Sequence, residues 1–481
     1  MKKNLKYILL FILLCNISFA QDTVDVSRIM KKAVYENDFQ RAYKIYSTAK
    51  EENYYNMESL ERILCQIKYL EKDYENAKYY AQKLYNEDEN DFLTDIIQII
   101  CWAKKKNNNE LIGERIQDIL QDGYIPNTIL QDMKTFPKSD FKNLSDAVSS
   151  YIKDNKITEK EDLYPFRTLL TLLFFCQDNY MQCYNAGIEL ISENNSDVIY
   201  YILGFVREKR HEYNSAIAFY NLSIKKGFKD YDVFLHRAIC KGQLSAYESS
   251  NKDLDTCLSM DTNYYALFLK GINYNYLQEY KKALYCFNLS LNLNDTFSPT
   301  YNYRGIVYAN LKEYDFAVLD FRLALKMNPK TAFAHNNLGI SLEKTGKVQD
   351  AINEYLMSVK MEPDFFDAYY NLGRNYTYQK KYKKAVKYLN SALLLEQQVP
   401  DIYYLLGINY AHMEKKEKAC SFLQQALSMG HTEAEEKIKS YCENNSNIEI
   451  EQDINFDNNS ENIFVKTSNT TPSEDNEDFE E

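Results

Sequence analysis

Five histidines, His211, His236, His335, His412 and His431, are the side chains best suited to proton transfer or metal ligation. None belongs to a His-Glu-x-x-His arrangement, and the chain has no Gly-x-Ser-x-Gly elbow, Gly-x-Gly-x-x-Gly turn or phosphate-cradling loop. Acidic pairs such as Glu51 with Glu52, or Asp253 with Asp255, read as solvated helix faces rather than as acid/base partners. Beyond Cys15, the scattered cysteines Cys65, Cys101, Cys176, Cys183, Cys240, Cys257, Cys286, Cys420 and Cys442 are odd in number and include no Cys-x-x-Cys. They are expected to pack as small apolar residues rather than to form a disulfide framework or a zinc site. No catalytic residue, metal or cofactor is expected, and the chain is not read as an enzyme.

What remains for recognition is amide and aromatic chemistry, which needs a scaffold to align it. A chain of 481 residues with only 13 Gly and 8 Pro suits long helices joined by short turns. The helices repeat. Gly271, Gly305, Gly339, Gly373 and Gly407 lie 34 residues apart, and an alanine follows each by twelve: Ala283, Ala317, Ala351, Ala385 and Ala419. Four further on stand Phe287, Phe321, Tyr355, Leu389 and Leu423, and three beyond these Ser290, Ala324, Ser358, Ala392 and Ala426. Spacings of three and four place these residues on shared helix faces, with glycine in a first helix and alanine in a second so that the two approach closely. Tyr274, Tyr308, Tyr376 and Tyr410 are expected to fill the adjoining space. Gly in a helix interior costs about 1 kcal/mol relative to Ala, so its recurrence requires compensation by packing. Pro299, Pro329, Pro363 and Pro400 fall at unit edges, where proline is tolerated.

These residues bound five units, 264–297, 298–331, 332–365, 366–399 and 400–433, which resemble the tetratricopeptide repeat family, whose 34-residue helix-turn-helix carries small residues at its eighth, twentieth and twenty-seventh places. The fold class this implies is all-α, a right-handed α-solenoid of helix-turn-helix repeats. Gly204, Ala216 and Tyr220 mark a further unit at 197–230, and Ala238, Ser250, Leu254 and Cys257 a degenerate one, within a segment of weaker repeats at 165–263. Asn37–Tyr46 and Lys72–Tyr80 echo a second helix, giving amino-terminal repeats over 21–90. Residues 91–164 depart from the pattern.

The resemblance also implies a groove lined by the first helices, at the second, fifth, sixth, ninth, twelfth and thirteenth places. Asn302, Tyr303, Asn336, Asn337, Tyr370, Asn371, Arg374 and Tyr404 are the candidate lining. A carboxamide both donates and accepts, so Asn337 and Asn371 could pair with the backbone of an extended peptide. Equally, Asn is abundant here and polar. Ile272, Ile306, Ile340 and Ile408 at the ninth place break the pattern of receptors that clamp a chaperone's terminal carboxylate. A protein or peptide partner is expected, with a carbohydrate ligand stacking on tyrosines as the alternative.

The two ends carry the charge asymmetry. Residues 1–20 begin with Lys2, Lys3 and Lys6, run apolar from Tyr7 to Cys15 and finish Ser18-Phe19-Ala20, which reads as an export signal too short to span a bilayer. Thr432 with Glu435 suggests a capping box opening a helix that covers the end of the stack, over 434–442. The acidic, Asn-rich stretch 443–481 is expected to be disordered. With the acids concentrated there, the body is nearly neutral despite the net charge of -12. No segment has the Lys/Arg excess that nucleic acid requires. An exported protein, periplasmic, envelope-associated or secreted, is expected.

Overall fold

The computed structural model describes residues 26–35, 38–51, 57–73, 138–157, 160–191 and 197–443, with isolated positions between 76 and 136. The expected export signal and all but the first residue of the acidic stretch lie outside the described residues. The described residues are helical throughout, with no strand among them. The chain divides into two compact units, residues 1–236 and 237–481.

The first unit contains α1 (Val26–Tyr35), α2 (Phe39–Glu51), α3 (Met57–Leu70), α4 (Lys138–Asp154), α5 (Lys160–Cys176), α6 (Tyr180–Leu190), α7 (Asp197–Lys209) and α8 (Tyr213–Lys226). Met30, Ala33, Ala42, Leu60, Ile63 and Ile67 bury a core among α1, α2 and α3. The following helix, α9 (Tyr231–Gln243), crosses the boundary between the units.

The second unit continues with α10 (Tyr247–Met260) and then five helix pairs. These are α11 (Tyr264–Tyr276) with α12 (Tyr280–Leu293), α13 (Ser298–Asn310) with α14 (Tyr314–Met327), α15 (Ala332–Lys344) with α16 (Val348–Met361), α17 (Phe366–Tyr378) with α18 (Tyr382–Leu395), and α19 (Pro400–His412) with α20 (Lys416–Ser428). Each second helix packs on its own first helix and, except for α20, on the first helix of the next pair. In each pair the first helix carries the glycine and the second the alanine of the 34-residue register.

The glycines are packing seats. A Cβ built on Gly339 would stand 2.5 Å from the Tyr355 ring, and one on Gly373 2.5 Å from Leu389 Cγ. Gly204, Gly271, Gly305 and Gly407 face Tyr220, Phe287, Phe321 and Leu423 in the same way. The twenty-fourth residue therefore fills the seat, and Tyr274, Tyr308, Tyr376 and Tyr410 stand three residues after their glycines. Those tyrosines pack further out, Tyr376 on Tyr388 at 5.5 Å and Tyr410 on Phe422 at 5.5 Å between ring centroids. Ala283, Ala317, Ala351, Ala385 and Ala419 are completely buried opposite.

Each turn ends its first helix in one way. Gln278, Lys312, Gly346, Lys380 and Glu414, all at the fifteenth place, adopt positive φ. The next residue's N–H reaches back to the eleventh carbonyl, as from Glu313 to Tyr308 at 2.8 Å and from Lys381 to Tyr376 at 2.9 Å. This is the bonding that satisfies the orphan carbonyls of a helix end, here with a non-glycine residue in four of these five turns.

After α20 comes α21 (Glu433–Ile438), continued by one π-helical turn, Lys439–Glu443. The capping box does not form. Thr432 is itself helical, at φ -62° and ψ -33°, and its side chain makes no cap hydrogen bond; the Glu435 amide bonds to the Thr432 carbonyl instead. The segment nevertheless covers the end of the stack, where Ala434 and Ile438 pack with Tyr403, Ile408, Leu423 and Ala426. A Cys420–Cys442 disulfide pins it there. That corrects the expectation of packing cysteines alone, although Cys65, Cys176, Cys183, Cys240, Cys257 and Cys286 are buried as expected.

Candidate functional site

The candidate lining residues sit on α13, α15, α17 and α19, in one row of first helices. Their exposure differs from the sequence expectation. Asn302, Asn336, Asn337 and Asn371 are buried, 2 %, 0 %, 0 % and 6 % exposed, and Tyr303 is buried against Phe268. The reason is that successive first helices stand shoulder to shoulder, so the fifth, sixth and tenth places meet at their seams. Asn371 donates to Asn336 Oδ1 at 3.0 Å and Asn409 to Thr377 Oγ1 at 2.7 Å, each bond joining one first helix to the next. Among the described residues, the Asn302 and Asn337 carboxamides have no hydrogen-bond partner, and neither does Asn336 Nδ2. Buried amides left without partners are costly, by about 1–3 kcal/mol for each group.

A buried carboxylate with four hydrogen bonds was not among the candidates. Glu343, at the twelfth place of α15, accepts from Tyr355 Oη at 3.0 Å, Asn375 Nδ2 at 2.7 Å and Arg374 Nη2 at 3.0 and 3.2 Å. The pair is largely buried, with side chains 16 % (Arg374) and 3 % (Glu343) exposed. Burial disfavours the Arg374 charge, but Glu343 and the surrounding phenols outweigh it and hold the guanidinium firmly protonated. Burial, reinforced by the Glu343 charge, pushes the Tyr355 phenol far above its ordinary range, so it remains a donor. The same couple recurs in the first unit, where Tyr220 donates to Glu208 at 2.7 Å and His236 stands 3.1 Å from that carboxylate.

A sequence signal for this existed. Of the six units with a glycine seat, only two fill it with tyrosine, and only those two, at Glu208 and Glu343, carry an acid at the twelfth place. Where the seat holds Phe287, Phe321, Leu389 or Leu423, the twelfth place is Asn275, Ala309, Thr377 or Ala411.

Tyr370 and Tyr404 remain half-buried and, with the 16 % of the Arg374 side chain that is exposed, form the accessible part of the expected lining. Tyr370 lies parallel to Phe366 at 6.2 Å, with the Arg374 guanidinium 5.9 Å from its centroid. Tyr404 stacks on His431 at 4.2 Å, and His431 Nε2 lies 3.3 Å from Asp401. Burial pushes both phenols up to about 12, helped at Tyr370 by Asp401 and at Tyr404 by Glu433. At neutral pH this surface is therefore neutral rings around one balanced cation, able to stack and to donate hydrogen bonds. Among the described residues no group of His, Cys, Asp and Glu is placed to hold a metal ion. None of the described helices is long and apolar enough to cross a membrane.

A tetratricopeptide repeat model matches residues 336–403, and a second model of the same repeat matches residues 400–429. Residues 336–429 thus carry tetratricopeptide repeats, and the helix pairs before them repeat the same all-α architecture. Solved structures similar to the protein include YrrB, described as a TPR protein with an unusual peptide-binding site, at 20 % identity and TM-score 0.35, covering 39 % of this chain and 97 % of that one. A TPR protein from Parabacteroides merdae is 19 % identical at TM-score 0.40, covering 51 % and 98 %. The Cut9–Hcn1 assembly of APC/C is 15 % identical at TM-score 0.42, covering 85 % and 94 %. No curated protein matches the sequence.

Proposed function

We propose that this protein is an exported, non-catalytic adaptor that holds a protein or peptide on the first-helix face of its repeats. The observation that carries the reading is the row of partly accessible side chains on that face, Phe333, Lys344, Tyr370, Arg374, Tyr378 and Tyr404, mounted on helices locked by buried amides and the Glu343 cluster. Rings with donors and few rotatable bonds bind at low entropic cost. Asn336, Asn371 and Asn409 act as seam bonds in this reading, and the half-buried rings carry contact with the partner. Export is supported by the first twenty residues and by the Cys420–Cys442 bond, since disulfides persist in oxidising compartments.

Binding of the purified protein to a displayed peptide pool and to a glycan array tests this. Peptides should be retained by the wild type, and Phe333→Ser with Tyr378→Ser should weaken them at least about tenfold while the circular dichroism melt stays close to wild type. Retention of glycans alone would turn the reading to carbohydrate. Equal peptide binding by the double variant would move the site off this face.

A further inference from the structure

The place of Cys420 in the repeat is what sets it apart. It stands at the twenty-first place of its unit, where the other four carry the aliphatic residues Leu284, Val318, Ile352 and Val386. Its partner Cys442 lies on the turn that follows α21, and α21 itself begins at Glu433, one residue before the place where a sixth unit's first helix would start. The cap thus occupies the seat of a missing helix. At six residues plus one π-helical turn it is too short to be stable as an isolated helix, so tertiary anchors must hold it. Besides Ala434 and Ile438, those anchors are the disulfide, the His431–Asp401 contact and the Tyr441 hydroxyl donating to the Ala411 carbonyl at 3.2 Å.

We propose that the Cys420–Cys442 bond is a thiol-sensitive lock on this cap. Both cysteines are only partly buried, so an incoming thiol can reach the sulfurs of this pair. The reductant is a dithiol. One of its thiolates attacks a sulfur of the pair, the S–S bond breaks to a mixed disulfide, and the second thiolate closes the oxidised cyclic disulfide. Two electrons and two protons pass to Cys420 and Cys442, which end as thiols. Cross-linking acts chiefly by restricting the open chain, so its loss shifts the cap towards the open state. Opening uncovers Tyr403, Ile408, Leu423 and Ala426 and removes His431 from Tyr404, so the redox state of the pair sets the geometry at one end of the first-helix face. This inference stands on the disulfide and the cap alone and does not depend on what that face binds.

Hydrogen exchange read by mass spectrometry on the full chain, purified without reductant and then treated with dithiothreitol, tests it. Peptides covering 433–443 should exchange at least about tenfold faster after reduction, while peptides from α13 to α17 stay unchanged. Iodoacetamide added to the reduced native protein should label Cys420 and Cys442 ahead of Cys240, Cys257 and Cys286. Cys442→Ser should show the fast exchange without reductant and no further response to it. Two results overturn the proposal: alkylation of Cys420 and Cys442 before any reductant is added, or cap exchange that is unchanged once mass confirms that the bond is reduced. The wild-type arm decides the matter by itself if the variant does not fold.

Discussion

At the scale of single residues, the glycine seats show how a local penalty is recovered. Gly339 gives up about 1 kcal/mol of helix propensity relative to alanine, and a ring fills the space in return. Tyr355 is fully buried and hydrogen-bonded to Glu343, so its ring cannot swing aside cheaply. Gly339→Ala should therefore lower stability by about 1–3 kcal/mol despite its better propensity, as read by urea melts. A gain would mean that the ring adapts. This part of the structure was legible in the sequence, because a small residue repeated at one helical phase marks a place where two helices approach closely. The exposure of Asn302, Asn336, Asn337 and Asn371 was not legible. A repeat register tells which residues are equivalent, whereas the burial of the fifth and sixth places depends on how closely neighbouring first helices approach. That distance is set by packing between residues some thirty positions apart.

Elements are joined within a unit by contacts that also vary from unit to unit. In the pair α15 and α16, His335 Nδ1 lies 2.7 Å from Glu354 and Nε2 3.1 Å from the Pro329 carbonyl, tying both helices to the turn before them. Burial disfavours its charged form, but the Glu354 and Pro329 hydrogen bonds outweigh this and raise its pKa above the ordinary histidine value. A raised folded-state pKa contributes stability that is complete below the unfolded value of about 6.5 and is lost as pH rises through the folded value. His335→Gln should accordingly cost more stability at about pH 5.5 than at about pH 8.5, measured as urea midpoints at the two pH values. An equal loss at both would show that the ring serves packing alone. In the first unit's version of the acid–tyrosine couple, a histidine again sits beside the carboxylate, at Glu208 and His236. The five repeating pairs were legible from glycine, alanine and proline phases. The last element was legible in position but not in mechanism: its start follows from the count of 34, while a six-residue helix held by a disulfide leaves no periodic trace.

Across the second unit as a whole, stacking depends on contacts that no one pair completes alone. Glu343 belongs to one pair, while Arg374 and Asn375 belong to the next. Glu343→Gln would leave a largely buried guanidinium without its counter-charge, and breaking a buried pair from one side typically costs about 3–5 kcal/mol. The melt of the full chain should shift accordingly, and a loss below about 1 kcal/mol would indicate that water replaces the carboxylate. Five near-copies of one segment in a single chain also raise a hazard of mistaken identity during folding, because any second helix offers an apolar face much like its siblings'. Here the place of Arg374 is taken by Ile272, Ile306 and Ile408 in the other candidate neighbours, α11, α13 and α19. A chain that docks α15 against the wrong sibling buries Glu343 beside isoleucine, with no cation to receive it. Such an arrangement lacks the counter-charge that the native order of the helices supplies, and a buried charge left without its partner is strongly disfavoured.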